Sequence, residues 1–211
     1  MQDNLLIYLD TEFTGLSRNA KLISVGMTVD SAKSESFYSE FNDFSMLHCN
    51  NFVKENVIPK LIFNERNVFF QEEERMLLMK GDTTTIKEKL LSWLEKLRAE
   101  YDNKNITFVV DVGAYDWLLI SELISEVVDG NYQLPEFVNY IPIDISSILY
   151  TIGIDPDISR NKLIGREEDD DKHNSLSDSR MNYIIHASIM NRFNYIEEEM
   201  KKGRDFINDG K

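Results

Sequence analysis

The chain has 211 residues and a formal net charge of −14 at pH 7, from 37 acidic residues against 23 Lys and Arg. This length predicts a single domain with a sizeable core, and the 42% of hydrophobic residues excludes a disordered or fibrous chain. The acidity argues against a protein that grips nucleic acid through a basic surface. A lone cysteine, Cys49, excludes a disulfide framework and is typical of a cytoplasmic protein. No run is apolar enough to cross a membrane, and the first residues lack a signal pattern.

The first part of the chain predicts β-strands. Residues 5–9 (LLIYL) form a short, fully apolar run that is typical of a central strand. Residues 22–29 and 36–41 predict a second and a third strand. Because only short polar turns separate them, we expect the three strands to pair antiparallel.

Strand–helix units are predicted after these strands. They are a helix over 85–101, a strand over 106–110 followed by a helix, a strand over 141–143 that leads into a helix over 146–150, and a helix from 175 to about 193. In the helix after the strand at 106–110, one apolar face is expected to hold Trp117, Ile120, Leu123, Ile124 and Val127. The pattern predicts an α/β protein with a mixed sheet flanked by helices.

Residues 50–81 are the hardest to assign. The pattern favours helices on either side of Pro59, the second of them in QEEERMLLMKGD. Alternatively, the segment is an arm or insertion that packs on another subunit.

Carboxylates stand out at three places along the chain. Asp10 and Glu12 follow the first apolar run, and residues two apart on a strand point to the same side. Two carboxylates there repel each other unless a cation lies between them, and hard divalent cations prefer oxygen ligands. The other interpretation is an acidic strand end that enters a turn.

The second place is the start of the helix after the strand at 106–110. Asp116 lies in GAYDWLL and Asp111 ends the strand. Asp116 is a candidate metal ligand, although a helix N-terminus favours an acidic residue in any case.

The third place is HNSLSD, residues 173–178. On one helix His173 and Asp178 would lie about 140° apart, so we expect His173 in the preceding loop and Asp178 in the first helical turn. The simpler interpretation is a cap in which Ser175 and Asp178 form a capping box, with His173 an exposed loop residue.

Taken in order, these motifs resemble the DEDDh family of 3′-to-5′ exonucleases. YLDTEFTGL (8–16) matches the family's first motif, DVGAYD (111–116) resembles the second and HNSLSD the third. ENVIPKL (55–61) is similar to segments of small stand-alone bacterial exoribonucleases. The resemblance spans nearly the whole chain.

The resemblance implies an RNase H-like fold and one 3′–5′ exonuclease domain over residues 1–211. It also implies two Mg²⁺ or Mn²⁺ ions on the carboxylates of Asp10, Glu12, Asp116 and Asp178, with His173 as the general base for the attacking water. Asp111 stands where the second motif usually has Asn, so it either attracts a cation or faces solvent.

By the same resemblance, residues 13–16 lie beside the terminal nucleotide. They are Phe13, Thr14, Gly15 and Leu16. Phe13 can stack on a base and Leu16 can wedge between bases, unless these two side chains simply fill the core. Cationic residues before His173 can guide phosphates, unless they belong to a loop that balances the acidic run 167–171. They are Arg160, Lys162 and Arg166.

The predicted activity is therefore a metal-dependent 3′–5′ exoribonuclease acting on RNA 3′ ends or short oligonucleotides, because so acidic a chain is poorly suited to a long duplex. An exodeoxyribonuclease of the proofreading or repair type is the nearest alternative, since discrimination depends on contacts to the 2′-hydroxyl. A non-catalytic RNase H-like binding module is a third. The family resemblance also implies a homodimer.

Overall fold

A computed structural model describes residues 4–29, 35–63, 69–73, 75–167 and 172–209. Its centre is a mixed sheet of seven strands. They are β1 (Leu5–Phe13), β2 (Leu22–Val29), β3 (Ser36–Phe41), β4 (Phe69–Glu73), β5 (Met76–Gly81), β6 (Ile106–Val110) and β9 (Ile143–Asp144). Two further strands, β7 (Glu126–Val128) and β8 (Asn131–Gln133), form a separate hairpin.

The order across the sheet is β4-β5-β3-β2-β1-β6-β9. β1, β2 and β3 pair antiparallel, whereas β6 and β9 continue the sheet parallel to β1. On the other side β5 runs parallel to β3, and β4 pairs antiparallel with β5. The three antiparallel strands and the later strand–helix units are as predicted, and together they make an α/β fold.

The helices flank this sheet. They are α1 (Asn51–Asn56), α2 (Thr83–Glu100), α3 (Ala114–Ile124), α4 (Ile145–Thr151), α5 (Arg160–Leu163) and α6 (Ser175–Asp209). No helix among the described residues has an apolar stretch long enough to cross a bilayer.

The two faces of the sheet are covered differently. On one face Ile7 and Leu9 of β1 pack with α2 and α3 in the larger core. On the other face Tyr8 packs with Ile185 and Ile189 of α6 and with α4. Because side chains alternate along a strand, the even-numbered residues of β1, including Asp10 and Glu12, point to the α6 side.

Several elements match their prediction. The second and third strands and the strand at 106–110 are found over the predicted residues. The first strand is longer than its apolar run and continues through Asp10 and Glu12 to Phe13. The strand near 141–143 is shorter and later, at Ile143–Asp144.

The prediction for residues 50–81 is partly wrong. A helix before Pro59 is present as α1, and Pro59 lies in a 3₁₀ turn, Ile58–Lys60. After Pro59, however, the chain forms the strands β4 and β5 instead of a helix. The run MLLM gives the same signal for a buried helix or a buried strand, and pairing of β5 with β3 decides for the strand. Contact of this segment with a second subunit stays a prediction.

The predicted apolar face of α3 is right except at its end. Ile120, Leu123 and Ile124 are buried, and Trp117 packs against the same core. Val127 lies in β7 and is 65% exposed, because α3 ends at Ile124 and Ser125 turns the chain into extended backbone.

Candidate metal centre

Asp10 and Glu12 lie within β1, at the end that carries the candidate site. In the antiparallel register Asp10 is opposite Gly26 and Glu12 is opposite Ser24. Both side chains are half-buried. The strand geometry therefore gives what the Asp-x-Glu spacing predicts: two carboxylates on one side of one strand.

Asp178 is brought to the same place by the first turn of α6. The helix begins after Asn174, whose Oδ1 accepts a hydrogen bond from the Ser177 amide at 3.2 Å. The Asp178 Oδ2 accepts one from the His173 amide at 3.0 Å. Asn174 is therefore the cap in place of the predicted Ser175, and Asp178 fixes the loop before the helix while it faces β1.

Polar contacts dock α6 on the sheet. The hydroxyls of Ser175 and Ser24 lie 3.0 Å apart, as do those of Ser179 and Thr28. Farther along, the Asn182 side chain donates to the Leu9 carbonyl at 3.0 Å. These buried bonds fix the helix against β1 and β2, and with it the position of Asp178.

Gly26 allows this close approach. A Cβ built at Gly26 would lie 2.1 Å from the carbonyl oxygen of Ser175 and 2.4 Å from the Leu176 amide nitrogen. Gly26 is not among the residues predicted to shape the site, although a glycine inside a strand is a known sign of close backbone approach. That glycine, within LISVGMTV, is the signal that could have shown where α6 crosses the sheet.

The result is a cluster of three carboxylates. Ligand oxygens of Asp10, Glu12 and Asp178 all lie within 4.8 Å of one another, although the chain supplies them from positions far apart. Oxygen donors at this spacing suit a hard divalent cation such as Mg²⁺ or Mn²⁺. These three side chains could therefore hold a divalent cation, whereas Asp116, the fourth predicted ligand, is not part of this cluster among the described residues.

The electrostatics of the cluster favour the same conclusion. Burial raises the pKa of Asp10 well above its ordinary value, and the neighbouring carboxylates of Asp116, Asp178 and Glu12 raise it further. Burial and then the charges of Asp178 and Asp116 raise the pKa of Glu12 to about 8. Because the carboxylates repel one another, a bound cation would relieve a repulsion that protons otherwise relieve.

Asp116 lies beside this cluster in a different role from that of the other three. It is 8% exposed, and its Oδ1 accepts hydrogen bonds from the Thr11 amide at 2.9 Å and the Thr11 hydroxyl at 2.6 Å. Burial raises the pKa of Asp116 to about 6 even though these bonds oppose the shift. The side chain thus ties α3 to β1 next to Asp10, and it is more than a residue that caps its own helix.

His173 lies in the loop before α6, as predicted, and lines the same cleft as Asp10 and Asp178. It is half-buried, so it is not the exposed loop histidine of the simpler interpretation. Its ring packs edge-on against Phe52 with centroids 5.1 Å apart, and its backbone has a φ of 66°. Burial lowers the pKa of His173, as do the charges of Lys172 and Lys60, and both effects favour the neutral form of the ring.

Asp111 lines the cleft beside Asp10, and its carboxylate is paired with an arginine. Its two oxygens accept hydrogen bonds from Arg160, from Nε at 2.5 Å and from Nη2 at 2.8 Å. The Ser146 hydroxyl donates to the same carboxylate at 2.7 Å. A bidentate arginine thus balances the charge of Asp111, an arrangement that neither predicted role included. The partner is 49 residues away in the sequence, and no local pattern indicates the pair.

The four residues after Glu12 differ in their exposure and in their contacts. Phe13 stacks on Tyr115 with ring centroids 5.4 Å apart, and Leu16 is 75% exposed and does not fill the core. Thr14 is buried, and its hydroxyl accepts from the Lys21 amide at 3.1 Å, so its side chain supports the turn. Gly15 has a φ of 150°, and a Cβ there would lie 3.1 Å from the Asn50 side chain.

A cleft of about 540 Å³ opens from the carboxylates toward α5 and α6. Besides Asp10, Asp178 and the Asp111–Arg160 pair, its lining includes three cations, Arg166, Lys172 and Arg180. Lys162 is not among the lining residues.

No known family model matches this chain, and no curated protein matches it either.

Proposed function

We propose that the protein is a metal-dependent 3′–5′ exoribonuclease that acts on short or single-stranded RNA ends. The observation that carries the proposal is the convergence of Asp10, Glu12 and Asp178, with oxygens within 4.8 Å, at a cleft that Asp10 and Asp178 line together with His173. The mixed sheet, with three antiparallel strands followed by parallel strands, is compatible with an RNase H-like fold. The proposal therefore includes that fold and the DEDDh type of active site.

The chain's own groups suit hydrolysis of a phosphodiester. Two divalent ions bound to the carboxylates would activate water and stabilise the leaving oxygen. His173 would serve as the base that takes a proton from the attacking water, a task that needs a pKa near or below the working pH. Asp116 holds α3 against β1 and keeps Asp10 in place through the Thr11 bonds.

The substrate class follows from charge and exposure. A net charge of −14 disfavours a long duplex, whereas the cations along the cleft offer contacts for a few phosphates. Leu16 is exposed beside the carboxylate strand and can contact a terminal base. These features support a single strand whose 3′ end reaches the carboxylates.

The test is a nuclease assay on matched RNA and DNA oligonucleotides, labelled at either end, with and without Mg²⁺ or Mn²⁺. We expect removal of nucleotides from the 3′ end of RNA only with metal, and loss of that activity in Asp10→Asn. Asp82→Asn, at the exposed cap of α2, is the matched control and keeps full activity, since Asn caps a helix as well as Asp does. Absence of hydrolysis by the wild type would contradict the proposal. Faster hydrolysis of the DNA oligonucleotide than of the RNA one would make DNA the substrate in place of RNA.

A further inference from the structure

Glu40 is a fully buried carboxylate that the proposed chemistry does not use. It lies in the row of facing residues that runs across the sheet from Glu12 through Ser24 to Glu40, so all three point to the same face. It is 0% exposed, and its Oε2 lies 3.4 Å from the Nζ of Lys80. A buried charge of this kind needs partners to be tolerated. The partners of Glu40 identify the segment of backbone that it fixes.

Glu40 and Lys80 together grip one stretch of backbone. The Oε1 of Glu40 accepts hydrogen bonds from the Ile62 amide at 2.6 Å and the Phe63 amide at 2.9 Å. It also accepts one from the Tyr38 hydroxyl at 2.8 Å. Lys80 donates to the Phe63 carbonyl at 2.6 Å. The pair thus fixes both the donors and an acceptor of the segment that follows the 3₁₀ turn.

That segment is in turn bonded to the loop of the candidate site. The carbonyl of Lys60, two residues before Ile62, accepts a hydrogen bond from the Asn174 side chain at 3.0 Å. Asn174 caps α6 and directly follows His173. A continuous set of bonds therefore leads from a buried ion pair in the sheet to the residue beside His173.

We infer that Glu40 is a positioning residue for His173. It touches no reacting atom, and it acts by holding residues 60–63, which hold Asn174 and so the loop that presents the imidazole. The effect on turnover rests on the proposed function, whereas the link from Glu40 to the loop does not. A misplaced general base lowers the rate of chemistry without a matching loss of binding.

The test replaces the ion pair by apolar side chains of similar size, in the double variant Glu40→Leu with Lys80→Met. Such a replacement keeps the fold while it removes the bonds to residues 62–63. We expect amide hydrogen exchange to become about tenfold faster or more at residues 60–63 and at 173–177. We expect kcat on RNA to fall on the order of 10- to 100-fold, with KM and Mn²⁺ affinity close to wild type.

The matched control is Glu35→Leu with Arg75→Met, which removes an ion pair at the other end of the same two strands (Oε1 to Nη1, 3.7 Å). Glu35 directly precedes β3 and Arg75 directly precedes β5. This control variant leaves exchange at 173–177 and kcat unchanged. Glu40→Gln with Lys80→Met restores an acceptor oxygen for the two amides and recovers most of kcat. If the Leu variant does not fold, Glu40→Asn with Lys80→Met takes its place, because the shorter Asn side chain loses the bonds to 62–63 while it stays polar. Unchanged exchange at 173–177 in a folded Glu40 variant that has lost the bonds to 62–63 would overturn the inference, even if the wild type hydrolysed no RNA. An unchanged kcat on RNA would overturn its catalytic part.

Discussion

The backbone of Ser175 passes so close to Gly26 that a methyl group at Gly26 would lie 2.1 Å from the Ser175 carbonyl oxygen. Gly26 also faces Asp10 in the neighbouring strand. One glycine thus sets the distance between the strand that carries two carboxylates and the helix that carries the third.

Gly26→Ala is therefore expected to damage the site more than the fold. The added Cβ pushes the start of α6 outward, which costs about 1–3 kcal/mol of stability as overpacking. Nuclease activity should fall by about 100-fold or more, because a displacement near 1 Å separates Asp178 from Asp10. Gly81→Ala, where the nearest side-chain atom lies 3.5 Å away, is the control and should behave as wild type. Equal activity of the two variants in the oligonucleotide assay would show that the contact is unimportant.

Divalent cations should stabilise the folded protein. Mn²⁺ or Mg²⁺ at about 100 times its dissociation constant should add about 2.7 kcal/mol to the free energy of unfolding. Thermal unfolding with EDTA or with added metal measures this. Asp178→Asn should lose most of the gain, and Asp82→Asn should keep it. A wild-type melting temperature that changes with neither Mn²⁺ nor Mg²⁺ would argue against a metal centre.

Without metal, stability should fall as pH rises. The pKa of Glu12 is raised from its ordinary value of 4.5 to about 8, so between these values the folded state holds a proton that the unfolded state has released. Stability from this group is thus fully present below pH 4.5 and is lost as pH rises through about 8.

Urea unfolding in EDTA at several pH values tests this sign. Glu12→Gln has no such proton, so its stability should change less with pH over this range. Saturating Mg²⁺ should flatten the wild-type curve, because the ion replaces the proton. A wild type that gains stability relative to Glu12→Gln as pH rises would contradict the direction of the shift.

Arg160 should matter for stability through Asp111. The Asp111 carboxylate accepts hydrogen bonds from Arg160 and from the Ser146 hydroxyl. Arg160→Met removes the first of these partners and leaves the second. The loss should be on the order of 2–3 kcal/mol, below the range for fully buried pairs because both side chains keep some exposure. Asp111→Asn in the Arg160→Met background should recover most of it in urea unfolding. If the double variant is no more stable than Arg160→Met, the charge balance is not the reason.

Much of the fold follows from local pattern. The strands at 22–29 and 36–41 are recognisable because apolar stretches are bounded by short polar turns. The strands at 69–81 are not, because β5 owes its conformation to pairing with β3, about 40 residues earlier. A local apolar run carries no information about such a partner.

The candidate site likewise has some features that local sequence predicts and others that depend on distant contacts. Strand alternation predicts that Asp10 and Glu12 share a side. Helix geometry predicts that His173 lies in the loop before α6, because on one helix it would point away from Asp178. The Asp111–Arg160 pair, the bonds from Thr11 to Asp116 and the crossing at Gly26 depend on contacts across 49 to 149 residues. Sequence spacing says nothing about such contacts.

The three clustered carboxylates also impose an order of events during synthesis. Asp10 and Glu12 leave the ribosome well before Asp178, so the cluster stays incomplete until the first turn of α6 has emerged and docked on β2. Any chemistry that depends on the complete cluster is therefore closed to the nascent chain until α6 has docked.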